Sequence, residues 1–343
     1  MPEPKCSSEK VMSGPQAFAS HKASAAENLK GVRHKVVVMS GKGGVGKSTI
    51  AVNLASDLAN RGLKVGILDA DMHGPTVPKL MGMKDPVLNV NEAGRIMPAE
   101  GADGIKVISI AFLLRESDSP VIWRGPVKMG AIKQFLEEVD WGELDYLIID
   151  LPPGTGDEPL SVAQLVPTPD GALIVTTPQD VALISVRKSI NFAKATGLKV
   201  IGMVENMGGF RCPHCGNDVD MFGTGKVEAT AKDFSVPYLG KIQMSPVVAS
   251  SGEEGRPFVL SSNDGLSKAF RSVTSRNARN PETRSVTPGT RTAPRRSQGA
   301  ARRTSRRAIE GSPSSRDSAT TTSAPLSSRR TMSGRVEGAW LKS

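Results

Sequence analysis

Two groups of residues in this 343-residue chain have types and spacings that can do chemistry. The first is the run KVVVMSGKGGVGKST, Lys35 to Thr49. Gly41, Lys42, Gly43, Gly44, Val45, Gly46, Lys47 and Ser48 fit the GxxxxGKS spacing of a phosphate-binding loop, with Thr49 completing the contact stretch. The glycines let backbone N–H groups curl inward around an anion, and the helix that follows adds its partially positive end. In such a loop Lys47 reaches the β- and γ-phosphates of a nucleotide and the Ser48 hydroxyl ligates magnesium. Asp150 ends the apolar run Tyr146 to Ile149, where a carboxylate holds Mg2+ through its water shell. Asp69 and Asp71 follow another apolar run and are delivered beside the same phosphates.

The second group is Cys212 and Cys215, in ENMGGFRCPHCGNDVDMFG. Two thiolates two residues apart, followed by Gly216, can chelate one metal from a tight turn. A redox pair would open a helix, whereas Gly208, Gly209 and Gly216 make the flanks loop-like. A structural zinc site needs four ligands, and the chain has no second CxxC. Cys6 stands alone, and one thiolate holds no cluster.

These residues need strands to carry them. The runs Val36–Val38, Lys64–Asp69, Ile105–Ala111, Tyr146–Ile149, Ala172–Thr176 and Lys199–Glu205 read as strands. Helical patterns follow the loop at IAVNLASDLANRG and recur at Val127–Val139, entered through Trp123 and Arg124, and at Asp180–Ala195. Residues 86–104 read as loop. The alternation predicts an α/β fold: a P-loop NTPase domain with a mostly parallel twisted sheet flanked by helices. Pro152, Pro153, Gly154 and Gly156 make a loop suited to sensing a γ-phosphate, and Asp157 suits either a helix cap or chemistry.

Thirty-eight per cent apolar residues are ample for a core, and no stretch approaches the roughly eighteen needed to span a membrane. Residues 1–34 show no apolar h-region, and three cysteines do not make a disulfide framework, so a reducing cytoplasm is expected. The net charge of +10 belongs to the end of the chain, where sixteen basic and four acidic residues follow from Arg271 onward. The basicity therefore does not point to nucleic acid. The expected organisation is a flexible N-terminal arm over 1–34, a P-loop domain over 35–270 with a CxxC loop at about 207–222, and a basic disordered tail over 271–343. That tail, poor in apolar residues, reads either as a basic arm or as a translation outside the natural frame.

KGGVGKS, with its early Lys42, resembles the deviant loop of the MinD/ParA/nitrogenase-iron-protein class of ATPases. The resemblance implies a homodimer sandwiching two ATP molecules, with Lys42 reaching the partner's nucleotide, Asp71 positioning water and metal, and Asn206 contacting adenine. GKGGVGKST, LDADMHGPTVPKLMG, IIDLPPGTGDEPLS and ENMGGFRCPHCG, in this order, resemble the Mrp/ApbC iron–sulfur carrier ATPases from about Val32 to about Phe270. That family implies slow ATP hydrolysis and a [4Fe–4S] cluster bridging two subunits through Cys212 and Cys215. The cluster would pass to apo iron–sulfur client proteins, with scaffold proteins as further partners. Four cysteines at a two-fold axis suit zinc equally. A spatial regulator like MinD would share the phosphate machinery and leave CPHC unused.

Overall fold

The computed structural model describes residues 14–72, 74–84, 86–113, 125–212, 214–261 and 265–278. The readings for Cys6, His73, Trp123, Arg124, Pro213 and residues 279–343 lie outside them. Contacts divide the chain into Met1–Pro288 and Gly289–Ser343, and every described residue belongs to the first unit.

The elements run α1 (Gly14–Asn28), β1 (Val32–Ser40), α2 (Lys47–Asn60), β2 (Val65–Asp69), α3 (Val77–Leu80), β3 (Asn89–Val90), β4 (Ile96–Met97), β5 (Ala99–Glu100) and β6 (Lys106–Ser109). They continue with α4 (Gly125–Glu137), β7 (Leu144–Asp150), α5 (Asp157–Leu165), β8 (Gly171–Thr176), α6 (Asp180–Ala195), β9 (Val200–Arg211) and β10 (Asp218–Val219). Then come α7 (Lys226–Asp233), β11 (Tyr238–Met244), α8 (Pro246–Glu254), α9 (Phe258–Ser261) and α10 (Gly265–Ala278). The main sheet has the order β10-β9-β8-β1-β7-β2-β6-β5, with β11 also on β9. Its pairings are parallel except β5 on β6 and β10 on β9.

The apolar run in β1 is explained by helices on both faces. Val37 and Met39 pack into a layer with α1, α4, α5, α6 and α7, while Val36 and Val38 face α2, α9 and α10. Burying one such side chain stabilises by roughly 1.5–3 kcal/mol, so the central strands form a stiff base for whatever sits at their ends. β1, β2, β7 and β8 all end on the same edge, which brings the glycine loop, Asp69, Asp150 and Thr176 together.

Three boundaries differ from the expectation. Residues 14–34 are not a flexible arm. Phe18, Ala25 and Leu29 form a stripe on α1 against α4, with Ala25 and Leu29 buried. Asn28 Nδ2 donates to the carbonyls of Leu136 (2.8 Å) and Val139 (3.0 Å). The stripe is narrow and made partly of alanine, so its periodicity is weak in the sequence. Second, the strand expected to end at Glu205 runs on to Arg211, because β10 and β11 pair with its far half. Third, the domain does not stop at residue 270: α10 continues to Ala278, burying Val273 and Thr274. Arg271 Nη2 donates to the Val259 carbonyl at 2.9 Å, so a basic residue here belongs to the fold.

Candidate functional site

The loop between β1 and α2 turns through Gly44 and Gly46, both in the left-handed region at φ 77° and 81°. A side chain on Gly46 would also collide with the amide of Asn206, whose Nδ2 donates to the Val45 carbonyl at 2.9 Å. At the loop's start, a Cβ on Gly41 would lie 2.5 Å from the backbone of Ser185 in α6. Ser40 Oγ donates to the Lys42 carbonyl at 3.0 Å, and the Ser40 carbonyl accepts from Gly154 N at 2.9 Å. The phosphate-type loop is thus tied directly to the Pro152–Gly156 segment.

Lys47, Ser48, Asp71 and Asp150 converge. Lys47 Nζ lies 2.8 Å from Asp150 Oδ1 and 3.3 Å from Asp71 Oδ2. Ser48 Oγ donates to Asp150 Oδ2 at 2.5 Å. Burial works to lower the Lys47 pKa, but Asp150 and Asp71 outweigh it and the ammonium is held above its usual value. Burial raises Asp150, with Lys47 and Ser48 opposing.

Asp69 is the other acid that the sequence delivers beside the phosphates. It sits directly opposite Asp150 in the β2–β7 register and is fully buried. Burial, then the Asp150 charge, push it up to about 8, so it carries a proton at neutral pH. Ser109 Oγ, at the end of β6, donates to it at 2.9 Å, and the N–H groups of Asp71 and Val77 lie at 3.2 and 3.3 Å. One ammonium therefore faces the carboxyl groups of Asp150 and Asp71, with a protonated Asp69 beside Asp150. A hydroxyl and hard carboxylate oxygens beside a helix N-terminus fit Mg2+.

Lys42 points elsewhere: its Nζ donates to Gln179 Oε1 at 3.0 Å. Gln179, just before α6, was missed in the sequence. Its signal was its place in the short connection from β8 to α6, on the edge where the parallel strands end. Val181 and Ile184 on the same helix are 68% and 61% exposed, an apolar surface beside Lys42. On the other side of the loop a cavity of about 400 Å³ is lined by Thr49, Thr76, Asn206, Met207, Gln243 and Val248, among others. Another cavity, of about 610 Å³, lies around Lys64, Asp103, Lys106 and Glu143. It sits by the starts of β2 and β7, at the end of the sheet opposite the glycine loop, and Lys106 Nζ is already bonded to the Trp141 carbonyl at 2.7 Å.

Cys212 and Cys215 sit in the connection from β9 to β10, and neither is in a disulfide. Cys212 N donates to the Asn217 carbonyl and Gly216 N to the Cys212 carbonyl, both at 2.9 Å. Arg211 Nε donates to the Gly216 carbonyl at 3.1 Å. The N–H groups of Cys215 and His214 point at the Cys212 sulfur and lower its pKa, favouring the thiolate. Cys215 and His214 are exposed. Among the described residues, no group of three or more His, Cys, Asp and Glu side chains gathers as a metal site.

The chain is similar to known proteins. The ParA family model, described as the NUBPL iron-transfer P-loop NTPase, matches residues 31–277. An iron–sulfur cluster carrier protein of Methanocaldococcus jannaschii is 50% identical over 243 residues, covering 71% of this chain and 83% of that protein. The cytosolic Fe-S cluster assembly factor NUBP2 of Gallus gallus is 48% identical over 68% of this chain and 86% of its own length. Among solved structures, a nucleotide-binding protein from Archaeoglobus fulgidus in complex with ADP superposes with a TM-score of 0.62. It is 42% identical and covers 69% of this chain and 92% of that one.

Proposed function

The chain belongs to the ParA family of NUBPL iron-transfer P-loop NTPases, and from that premise we propose that it is an ATP-dependent carrier of iron–sulfur clusters. Two copies would hold one [4Fe–4S] cluster between their CxxC hairpins and release it to apo-proteins. The observation that carries this reading is the pairing, in one unit, of a complete phosphate-loop site with an exposed two-thiolate hairpin. Two thiolates from each chain make the four that a cluster needs.

In this reading the N–H groups of residues 41–49 and Lys47 bind the phosphates of ATP, and Asn206, with the cavity beside it, takes the adenine. Ser48 and Asp150 would hold Mg2+, which supplies charge neutralisation between the β- and γ-phosphates. Asp71 orients a water for attack on the γ-phosphorus. The new P–O bond forms as the bond to the ADP oxygen breaks, and Lys42, swung from Gln179, reaches the partner's nucleotide. Slow hydrolysis and a dimer that depends on nucleotide state are what the resemblance to the carrier ATPases implies, and they belong to this reading. The exposed Val181 and Ile184 beside Lys42 suit the same dimer interface. Apo iron–sulfur proteins are the partners, scaffold proteins the cluster's source, and the cytosol the compartment, as the name of the Gallus relative says of that protein. Among the described residues no helix is long and apolar enough to cross a membrane.

The test is transfer. Protein loaded anaerobically is mixed with an apo-protein that needs a [4Fe–4S] cluster, in the presence of a chelator that traps free iron. Recovery of acceptor activity supports the carrier reading. No recovery, with the bound metal analysing as zinc, overturns it in favour of a P-loop ATPase with a zinc staple.

A further inference from the structure

One side chain belongs both to the wall of the nucleotide cavity and to the brace of the cysteine hairpin. Gln243 lies on β11 between Ile242, which pairs with Asn206, and Met244, which pairs with Phe210. Across that interval β9 carries Met207, Gly208 and Gly209 as an irregularity in the ladder. Met207 and Gly209 are both left-handed, at φ 57° and 92°. A non-glycine residue held there costs roughly 1–2 kcal/mol, so the strand is strained where it leaves the nucleotide side and heads for the cysteines. Gln243 lines the cavity together with Asn206 and Met207. Its Nε2 also donates to Asp218 Oδ1 at 3.1 Å. Asp218 is the first residue of β10 and pairs with Arg211, the residue just before Cys212.

We infer that Gln243 is a positioning residue that couples occupancy of the nucleotide cavity to the exposure of Cys212 and Cys215. The inference rests on the nucleotide reading of the cavity, but it does not depend on which metal the thiols take. A ligand moves an equilibrium only through contacts that differ between the two states. A base seated in this cavity touches Gln243 and Met207, the two groups on which the hairpin hangs. Beyond the bulge the hairpin is braced to β9 by the pairs Asp218–Arg211 and Val219–Phe210, so it moves as a unit when its tether shifts. Such coupling is reciprocal, and a metal on the thiols must change nucleotide affinity by the same factor.

The experiment uses the full chain, reduced and metal-free, and follows alkylation of Cys212 and Cys215 by iodoacetamide with peptide mapping, with and without saturating ADP. Asp218→Ala removes the acceptor without touching the cavity, Gln243→Ala removes the donor, and Asp218→Asn keeps an acceptor oxygen. ADP is expected to change the wild-type alkylation rate by about fivefold or more, and by less than about twofold in Asp218→Ala and Gln243→Ala. Asp218→Asn should retain most of the response, and Asp218→Ala should still bind a fluorescent ADP analogue. Wild-type thiols indifferent to bound ADP, or an Asp218→Ala protein that responds as fully as wild type, would overturn the inference. Failure to take up an iron–sulfur cluster would leave this result untouched, and normal cluster uptake without any ADP effect would remove only the coupling.

Discussion

The floor of the glycine loop and the tip of the cysteine hairpin are built on opposite principles. At the floor, Lys47, Asp69, Asp71 and Asp150 are all at most 8% exposed and crowd one ammonium against buried carboxyl groups. At the tip, Cys215 and His214 stand in solvent, and the thiolate is favoured by backbone N–H groups instead of by a buried counter-ion. The first arrangement is dry and stiff, which strengthens electrostatics and suits a phosphoryl group whose charge must be met in place. The second is open, which suits a cargo that must arrive and leave. Both are attached to one sheet, and β9 runs from Asn206 at the loop to Arg211 beside the first cysteine.

The sharpest way to break the floor is Lys47→Met. It leaves Asp71 and Asp150 without their ammonium, and removing one partner of a buried pair costs about 3–5 kcal/mol. ATP hydrolysis should fall by about 10²–10³-fold or more, measured as phosphate release, while denaturant midpoints record the loss of stability. The tip should be indifferent, with zinc uptake by the two cysteines unchanged in whatever fraction stays folded.

Lys42→Ala separates a residue of the floor from one presented to a partner. Hydrolysis should drop by about 10²-fold or more, because a cation supplied in trans at phosphoryl transfer is worth roughly 10³–10⁵. ADP affinity of the isolated chain, read by calorimetry, should change by less than about tenfold. A variant that hydrolyses ATP as fast as wild type would confine Lys42 to its contact with Gln179.

Asp69→Asn tests the electrostatics of the floor through pH. Asp69 titrates at about 8 in the folded chain, against 3.8 for an ordinary aspartate, so the folded state binds the extra proton between those values. Its contribution to stability is full below about pH 4 and is lost as pH rises through about 8. The amide in the Asp69→Asn protein has no proton to lose, so the variant should gain stability relative to wild type as pH rises from about 4 to about 8, by at most about 1.4 kcal/mol per pH unit. Parallel stability curves would contradict the buried Asp69–Asp150 pair.

The smallest effect lies far from both sites. Asp170 accepts from Lys35 N at 2.7 Å and pairs with His34 Nδ1 at 3.0 Å. Burial raises its pKa, but those hydrogen bonds outweigh it and the value is lowered overall. Asp170→Asn should cost about 1–3 kcal/mol at neutral pH. Its pKa being depressed, the wild-type advantage is present above the ordinary carboxylate range and fades as pH falls through the Asp170 value.

What could be read from the sequence is what lies close together along it. Lys47 and Ser48 are adjacent, and their loop follows an unmistakable buried strand. Asp150 was legible because it ends another. The Asp69–Asp150 contact was not, because it depends on β7 lying between β1 and β2 in the sheet, an order no local pattern records. Ser109, at the end of β6, and Gln179, just before α6, were missed for the same reason: the partner of each lies on another strand or loop. α1 was hidden by its alanine-rich stripe, and the second half of β9 by glycines that usually mark a loop but here form a bulge. The CxxC was plain as a motif. Its place on a hairpin that shares Gln243 with the cavity beside Asn206 needed the fold.

The central claim is that two such hairpins complete one cluster site. The most direct test is anaerobic reconstitution with iron and sulfide, reading visible absorption, metal content and molecular size on wild type and on a Cys212→Ala/Cys215→Ala variant. The account predicts a dimer with about four irons, a broad absorption near about 400 nm, and loss of both in the variant. A wild-type protein without a cysteine-dependent chromophore, holding about one zinc per dimer instead, would contradict it.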